Sequence, residues 1–173
     1  MDNNEINKFT KAAEQRNVAA QTNLGLCYKR GSGVAINLEK AVYWFTKAAE
    51  QGDIKAQLHI GFCYHLGEGV IKDVQKAMYW HTKAAEQGHA DAQSILGTCY
   101  HIGRGVSSDI QKALYWYTKA AEQGDADSQF QLGICYDIGK GVSKDKQVAV
   151  YWYTKAAKQG NTNAQGMLNE LKR

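Results

Sequence analysis

The chain repeats itself every 36 residues, and this period constrains its fold more strongly than any other feature of the sequence. Segments 53–88 and 89–124 are identical at most of their positions. Three residue types recur at the full spacing: tryptophan at 44, 80, 116 and 152, cysteine at 27, 63, 99 and 135, and glycine at 25, 61, 97 and 133. A period of this length is typical of solenoids, in which one unit cannot bury its apolar face alone and must stack on the next.

Each repeat is predicted to contain two amphipathic helices. In the third repeat, the apolar residues of the first helix recur at helical spacing. The predicted buried stripe of that helix is Ala92, Leu96, Cys99, Tyr100 and Gly103. The second helix is predicted to bury Ala113, Trp116, Tyr117 and Ala120, with Ala121 at the edge of the stripe. The alanines let neighbouring helices approach closely, and the tryptophan is expected to fill the space between layers.

Glycines and short polar residues mark the ends of these helices. The glycine pair in GRGV, at 103–106, can adopt the left-handed conformation that ends the first helix. Gly124 is expected to end the second helix of the same repeat. An N-cap candidate for the second helix recurs in all four repeats. These candidates are Asn37, Asp73, Asp109 and Asp145.

The pattern predicts one all-α domain over residues 1–173, a right-handed α/α superhelical solenoid of ten helices. The predicted divisions are a half-repeat at 2–16, repeats at 17–52, 53–88, 89–124 and 125–160, and a final helix at 161–173. The half-repeat contains only a second helix, and the final segment contains only a first helix. Polar residues end that last helix, as is typical of a helix that caps a stack. They are Asn169, Glu170, Lys172 and Arg173.

Composition and charge narrow the class of protein. The chain is 44% hydrophobic and 22% charged, so a packed fold is expected rather than disorder. No apolar run approaches the roughly 20 residues that span a bilayer, and the polar N-terminus lacks a signal-peptide core. A net charge of +4 is compatible with acidic partners and requires none. We therefore expect a cytoplasmic monomer without membrane association, or an exported protein if a signal peptide has been removed.

The repeated frame AQxxLGxCYxxGxGVxxDxxKAxYWxTKAAEQG resembles the Sel1-like repeat, a relative of the tetratricopeptide repeat. The resemblance extends over almost the whole chain, and its departures are local: Asn37 replaces an aspartate, Gln147–Val148 replaces a lysine-bearing step, and Lys158 replaces an acidic residue. The resemblance implies an adaptor that holds other proteins. A cysteine-rich bacterial branch of the family is linked to binding or hydrolysing β-lactams, which gives the alternative of a small-molecule binder or hydrolase of the β-lactam or peptidoglycan type.

The residues that vary between repeats lie on one side of the first helix, which the resemblance places on the concave wall of the solenoid. We call this the first-helix surface. Its predicted partner-binding residues are Leu58, His59, Phe62, His65 and Leu66, then Ile95, Thr98, His101 and Ile102, and finally Phe130, Gln131, Ile134, Asp137 and Ile138. An apolar, variable surface of this kind resembles a groove for an extended peptide or a helix. The alternative is that these side chains only pack against the adjacent first helix.

Within this groove, two roles are predicted. Phe62, Leu66, Ile102, Ile134 and Ile138 are expected to anchor apolar side chains of the partner. The side chains expected to orient polar groups are His65, His101, Gln131 and Asp137. Association is expected to bury apolar area and to depend little on salt.

The cysteines and histidines do not predict a metal site, a cofactor or disulfides. Equivalent helices in successive layers lie roughly 8–10 Å apart, too far for a disulfide between equivalent cysteines. The four cysteines are therefore expected to be small buried side chains. The histidines have no ligand spacing that predicts a metal site. His81 replaces a core aromatic residue and is expected to be packed and hydrogen-bonded, while His89 occupies a capping position.

Neither nucleic-acid binding nor catalysis is favoured. Tyrosine and lysine alternate on the outer face of the second helix, as at Tyr115 and Lys119, but Glu122 is expected to neutralise the lysine. No nucleophile elbow, phosphate-binding loop or metalloprotease motif is present. His101 and Asp137 form only a weak candidate acid–base pair. The sequence thus predicts a non-enzymatic protein that binds a peptide or helix of another protein, with no catalytic residue, cofactor or nucleic acid. Near-identical repeats are also compatible with a structural spacer, or a consensus-like sequence, that binds no ligand.

Overall fold

The computed structural model of the protein describes residues 3–171, with side chains from Ile6 to Leu171. Over these residues the chain forms ten helices and no strand. They are α1 (Asn3–Glu14), α2 (Val18–Arg30), α3 (Leu38–Glu50), α4 (Ile54–Leu66), α5 (Val74–Glu86), α6 (Ala90–Ile102), α7 (Ile110–Glu122), α8 (Ala126–Ile138), α9 (Lys146–Lys158) and α10 (Thr162–Leu171). The predicted all-α class and helix number are confirmed for the part of the chain that the structure describes.

The helices belong to two compact units, Met1–Gln87 and Gly88–Arg173, here called unit 1 and unit 2. In unit 1, α2 packs on α3 and α4 on α5, while α1 covers α2 and α3 joins the two hairpins. In unit 2, α6 packs on α7 and α8 on α9, α7 joins the hairpins, and α10 packs on α9. Helical hairpins that stack on their neighbours make a solenoid, so the predicted fold class is confirmed. The right-handed superhelix and the single-domain division stay predictions.

Side-chain caps and left-handed glycines set the helix limits. Each predicted second-helix cap accepts a backbone hydrogen bond, as when Asp109 Oδ1 accepts from Lys112 N at 3.0 Å. The first helices end at glycines with φ between 72° and 78°, and Gly103 donates its N–H to the Cys99 carbonyl. His89 precedes α6 as its N-cap but forms no side-chain capping bond. Asp125, the equivalent residue before α8, does form one.

A glycine of each first helix contacts an aromatic ring of the second helix of the same repeat. A methyl group added to Gly97 would lie 2.5 Å from the ring of Tyr117, which is closer than real side chains approach. The same contact joins Gly25 to Phe45 and Gly61 to His81 in unit 1. The recurring glycine is therefore needed because a residue with a side chain would not let the ring approach the helix so closely. These rings are fully buried and form the centre of each layer.

Buried glutamines link successive second helices. Gln129 Nε2 donates to the Ala121 carbonyl in α7, and its Oε1 accepts from Gln159 Nε2 at the end of α9. In unit 1, Gln21 makes the equivalent bonds with Ala13 and Gln51. Because a buried amide needs both its donor and its acceptor satisfied, these bonds explain why AQ and EQG recur in the sequence.

The buried stripes differ in detail from those predicted. In α7, Leu114 is buried and Trp116 is only half-buried, since Trp116 packs edge-on against exposed Tyr115 at 4.9 Å. In α6, Tyr100 is half-buried and Gly103 is the exposed C-cap. Buried Gln93 and Gly97 complete the stripe of α6. The helical spacing was correct, but the predicted stripe included the exposed Gly103 and left out Gln93 and Gly97.

The last helix keeps only part of the repeat. Ala164 and Leu168 of α10 are buried, whereas Asn169 and Glu170 are exposed, as predicted for a helix that caps a stack. Lys172 and Arg173 lie outside the described residues. None of the helices described has the length and apolar character needed to cross a membrane.

Candidate functional site

The first-helix surface contains residues of three degrees of burial. Leu58 is buried, with 8% of its surface exposed. Nine residues are half-buried: His59, Phe62, His65, Ile95, His101, Phe130, Gln131, Ile134 and Asp137. Four are exposed: Leu66, Thr98, Ile102 and Ile138. The predicted surface is therefore not uniform, and only part of it is available to another molecule.

Several half-buried residues cover the aromatic rings of the second helices. In unit 1, His59 stacks on Phe45 with ring centroids 4.9 Å apart, and Phe62 meets His81 edge-on at 5.2 Å. In unit 2, the Phe130 ring lies 5.8 Å from that of Tyr153. These side chains therefore pack within the stack, but on second-helix rings rather than on the adjacent first helix that the alternative above named.

Three large apolar side chains of the surface remain exposed. Leu66 in unit 1 has 58% of its surface exposed, and Ile102 and Ile138 in unit 2 have 55% and 62%. Each is the last residue of its helix, directly before a left-handed glycine. Burying such a side chain against a partner contributes about 1.5–3 kcal/mol, so these three positions supply the apolar area that a partner could use.

In unit 2, a chain of hydrogen bonds connects the first-helix surface to the buried ring of Tyr117. Lys140 Nζ lies 2.6 Å from His101 Nε2, and His101 Nδ1 lies 3.3 Å from the Tyr117 hydroxyl. That hydroxyl donates to Thr98 Oγ1 at 3.3 Å. Since an ammonium can only donate, His101 accepts at Nε2 and carries its proton on Nδ1. Burial, and then the charge of Lys140, lower the pKa of His101, so the ring is neutral at pH 7.

The weak candidate pair of His101 and Asp137 is not formed. His101 is bonded to Lys140 and Tyr117 instead. Burial, and then the charge of Asp137, raise the pKa of Tyr153 to about 12, and the buried Tyr153 hydroxyl has no hydrogen-bond partner among the described residues. A phenol with so high a pKa is a poor acid or base at neutral pH, so Tyr153 is not suited to proton transfer there.

The hairpin turn supplies a surface residue that sequence reasoning missed. The residue between the two glycines of GxGV reaches the first helix of the preceding repeat: Lys140 contacts His101 in unit 2, and Glu68 forms a 2.7 Å ion pair with Lys29 in unit 1. A helical wheel of the first helix does not include this position. The available signal was its variability between repeats, where it is Ser32, Glu68, Arg104 and Lys140.

His81 is packed as predicted, but the predicted hydrogen bond is absent. Only 1% of its surface is exposed, and neither ring nitrogen has a hydrogen-bond partner within residues 3–171. Burial, followed by the charge of His65, lowers the pKa of His81 to about 4. His81 occupies the ring position held by Phe45, Tyr117 and Tyr153 in the other repeats, so it serves as a neutral packing ring at neutral pH.

The cysteines are buried thiols, as predicted, and burial raises the pKa of each. Each cysteine carbonyl accepts the hydrogen bond of the glycine that caps its helix. Among the described residues, no three histidine, cysteine, aspartate or glutamate side chains are grouped so that they could hold a metal ion.

On the outer face, lysines lie over tyrosine rings rather than pairing with glutamates. Lys47 Nζ is 5.7 Å from the centre of the Tyr43 ring, and Lys119 Nζ is 5.8 Å from that of Tyr115. The expected ion pairs with glutamates three residues further on are not formed among the described residues. An open pocket of about 600 Å³ lies beside this face in unit 1, between the end of α1 and α3. Its lining includes Trp44 and no residue of the predicted surface.

Comparison with known proteins places these features in a family. The sequence profile described as Sel1 repeat matches the chain four times, at residues 18–53, 54–89, 90–125 and 126–161, which is more than half of its length. No curated protein matches the chain.

The chain also resembles solved structures of proteins with this kind of repeat. A protective antigen present in uropathogenic Escherichia coli strains, which displays a Sel1-like repeat fold, is 40% identical with a TM-score of 0.89 over 96% of this chain and 36% of its own. A Sel1 repeat protein from Oxalobacter formigenes is 42% identical with a TM-score of 0.86, over 90% of this chain and 64% of its own. Cysteine rich protein B of Helicobacter pylori is 31% identical with a TM-score of 0.60, over 80% of this chain and 99% of its own. The chain therefore spans about a third of the length of the first of these proteins and under two thirds of the second.

Proposed function

Because the chain belongs to the Sel1 repeat family, whose members are generally protein-interaction scaffolds, we propose that it is a non-enzymatic adaptor that binds a peptide or helix of a partner protein on its first-helix surface. The family is typically non-catalytic. The observation that carries the proposal is the exposure of Leu66 in unit 1 and of Ile102 and Ile138 in unit 2, at equivalent positions of three repeats. Exposed apolar side chains at equivalent positions of neighbouring repeats, such as Ile102 and Ile138 within unit 2, are typical of sites that bind other proteins.

Half-buried residues give this surface its shape. Phe62 and Phe130 pack against the rings of His81 and Tyr153, whereas Leu66 and Ile138 at the ends of the same helices are exposed. The polar residues His65, Gln131 and Asp137 stand beside the apolar ones and would orient polar groups of a bound chain. A partner that binds as an extended peptide or as a helix would present apolar side chains at regular spacing, which matches the equivalent positions of Ile102 and Ile138 in the two repeats of unit 2.

The test is a pull-down from a lysate of the organism of origin, with bound proteins identified by mass spectrometry. The variant to compare is Leu66→Glu with Ile138→Glu, because both residues are exposed and their substitution leaves the core intact. Ile71→Glu is the matched control, since Ile71 is an apolar residue with 90% of its surface exposed in a hairpin turn, outside the first-helix surface. Circular dichroism establishes that all variants keep their helices.

We expect the wild type and Ile71→Glu to retain the same partner and the double variant to lose it. Equal retention by all three proteins would refute the surface assignment. The rival function, binding of β-lactams or peptidoglycan fragments, is tested by thermal shift, because a ligand that binds only the folded state raises the melting temperature. A shift with these compounds would favour that rival over the adaptor.

A further inference from the structure

The Lys140–His101 contact leaves a positive charge beside two exposed isoleucines in unit 2. His101 directly precedes Ile102, the last residue of α6, and Lys140 follows Ile138, the last residue of α8, by two residues. The Lys140–His101 contact therefore places the ammonium beside the ends of the two helices that present the exposed isoleucines. The structure thus combines apolar area with a cation whose position is fixed by a hydrogen bond. This differs from an ordinary surface lysine, whose flexible side chain has no fixed location.

The corresponding contact in unit 1 is an ion pair without net charge. There the turn residue is Glu68 and the helix residue is Lys29, and their 2.7 Å ion pair carries no net charge. In unit 2 the helix residue is a neutral histidine, so the charge of Lys140 is not cancelled by its partner. Among the described residues, no carboxylate forms an ion pair with Lys140.

Charged residues of both signs lie near Lys140, but they differ in exposure. Lys140 and Lys144 of the turn after α8 are exposed, and Asp109 and Asp145 cap α7 and α9 while keeping their negative charge. Asp137 is the one carboxylate that the described part of unit 2 contributes to the first-helix surface, and it is half-buried. Lys140 is therefore the exposed charged residue that contacts this surface, through His101.

We propose that the area formed by Ile102, Ile138 and Lys140 binds a peptide segment in which an aspartate or glutamate stands next to large apolar residues. The proposal rests on the adaptor function and specifies the chemistry of its partner. The two isoleucines remove apolar side chains of the peptide from water, and Lys140 donates to the carboxylate while keeping its contact with His101, since an ammonium has three donors. An inorganic anion would leave the isoleucines uncovered, and an uncharged apolar peptide would leave Lys140 beside a surface without an acceptor.

The probe is a random peptide library displayed on phage and selected against the full chain. Parallel selections use Lys140→Glu, Lys140→Gln, and the double variant Ile102→Ser with Ile138→Ser. Lys158→Glu is the matched control, because it makes the same charge change in unit 2 on an exposed residue of α9, where the other repeats have glutamate. Selected peptides are then synthesised with a fluorescent label, and their affinities are measured by anisotropy at two salt concentrations.

We expect the wild type and Lys158→Glu to enrich the same acidic and apolar peptides. Lys140→Gln should weaken their binding, and Lys140→Glu should weaken it by about tenfold or more and shift the selection towards basic peptides, because like charges in contact are strongly unfavourable. Affinity for the wild type should fall as salt increases, because an exposed ion pair is screened; this differs from the weak salt dependence that the sequence predicts for a purely apolar contact.

Two other outcomes would overturn the proposal, and they are distinguishable. Apolar peptides that need Ile102 and Ile138, but show no acidic preference and bind Lys140→Glu equally well, would refute the acidic partner and leave the adaptor function in place. If no peptide is enriched, or if the selected peptides bind the double serine variant as tightly as the wild type, both the acidic partner and the use of this area by an adaptor are wrong.

Discussion

At the scale of single residues, the positions that set this protein apart from a uniform repeat are those where one side chain replaces the common one. His81 stands where the other repeats bury a phenylalanine or a tyrosine. The His81 ring packs against Gly61 in the way that the phenylalanine and tyrosine rings pack against the equivalent glycines. Its two ring nitrogens, however, have no hydrogen-bond partner among the described residues. A buried polar group without a hydrogen bond destabilises the fold, so this residue gives up stability that a phenylalanine would provide.

Protonation of His81 is therefore expected to weaken unit 1 in acid. Its pKa is about 4 in the folded protein and about 6.5 when unfolded, so the unfolded state takes up the proton first as the pH falls. Stability is unaffected above pH 6.5 and decreases from there towards pH 4, by about 3 kcal/mol in total. Replacing His81 by phenylalanine should remove this part of the pH dependence and raise the stability at neutral pH.

The measurement is chemical denaturation of the wild type and His81→Phe at a series of pH values between 7 and 4, followed by circular dichroism. Carboxylates and the other histidines titrate in both proteins, so the informative quantity is the difference between the two curves. Curves that stay parallel over this range would show that His81 does not carry the acid sensitivity.

At the scale of helices, the close approach of the two helices in one repeat depends on a glycine with no space for a side chain. Gly97 in α6 touches the ring of Tyr117 in α7, and the same glycine is present in every repeat. By contrast, Gly166 in α10 has nothing within 4 Å of where a methyl group would stand. A comparison of alanine substitutions at these two glycines therefore tests whether the contact with the ring is what requires glycine at position 97.

Gly97→Ala is expected to destabilise the protein by about 1–3 kcal/mol, because the added methyl group forces the ring or the helix to move. Gly166→Ala is expected to stabilise it by up to about 1 kcal/mol, because alanine is the better helix former and meets no neighbour. Thermal or chemical unfolding of both variants measures the two effects. Similar changes in both variants would mean that the ring contact does not determine the stability at Gly97.

Much of the architecture at this scale was predictable from the sequence. The 36-residue period, the spacing of Leu96 and Cys99, and the caps such as Asp109 are local signals, and all of them correspond to observed elements. The use of Gln93 as a buried linker and of Lys140 as a surface residue was not predictable in the same way. Both depend on contacts between residues about 30 to 40 positions apart, which a helical wheel of one element does not contain.

The exposure of the candidate site was only partly predictable for the same reason. A helical wheel places Leu58 and Ile138 on the same face and predicts the same exposure for both, yet Leu58 is buried and Ile138 is exposed. The difference arises because Leu58 lies early in α4, whereas Ile138 is the final residue of α8, beside the turn. Position along the helix decides burial here as much as the face does.

At the scale of the whole chain, stability comes from contacts between neighbouring helices. In unit 1, α1 packs mainly on α2, whereas α4 is packed between α3 and α5. In unit 2, α10 packs mainly on α9, whereas α8 has extensive contacts with both α7 and α9. In proteins built this way, stability is approximately a sum of terms for single repeats and for their interfaces, so a helix with fewer interfaces opens more easily.

Amide hydrogen exchange is therefore expected to be faster in α1 than in α4 of unit 1, and faster in α10 than in α8 of unit 2. Exchange followed by mass spectrometry of peptides from each helix, at neutral pH and without denaturant, gives the comparison. Equal protection of the helices within a unit would mean that the unit opens only as a whole.

The glutamine bonds have a consequence for how such a gene can change. In each of the four pairs, Gln21–Gln51, Gln57–Gln87, Gln93–Gln123 and Gln129–Gln159, the two partners are 30 positions apart. Copying or deleting one block of 36 codons keeps every such pair in register, wherever the block begins. Unequal recombination between blocks thus yields longer or shorter proteins without a new type of contact, and natural selection can then act on the few variable positions of the added copy.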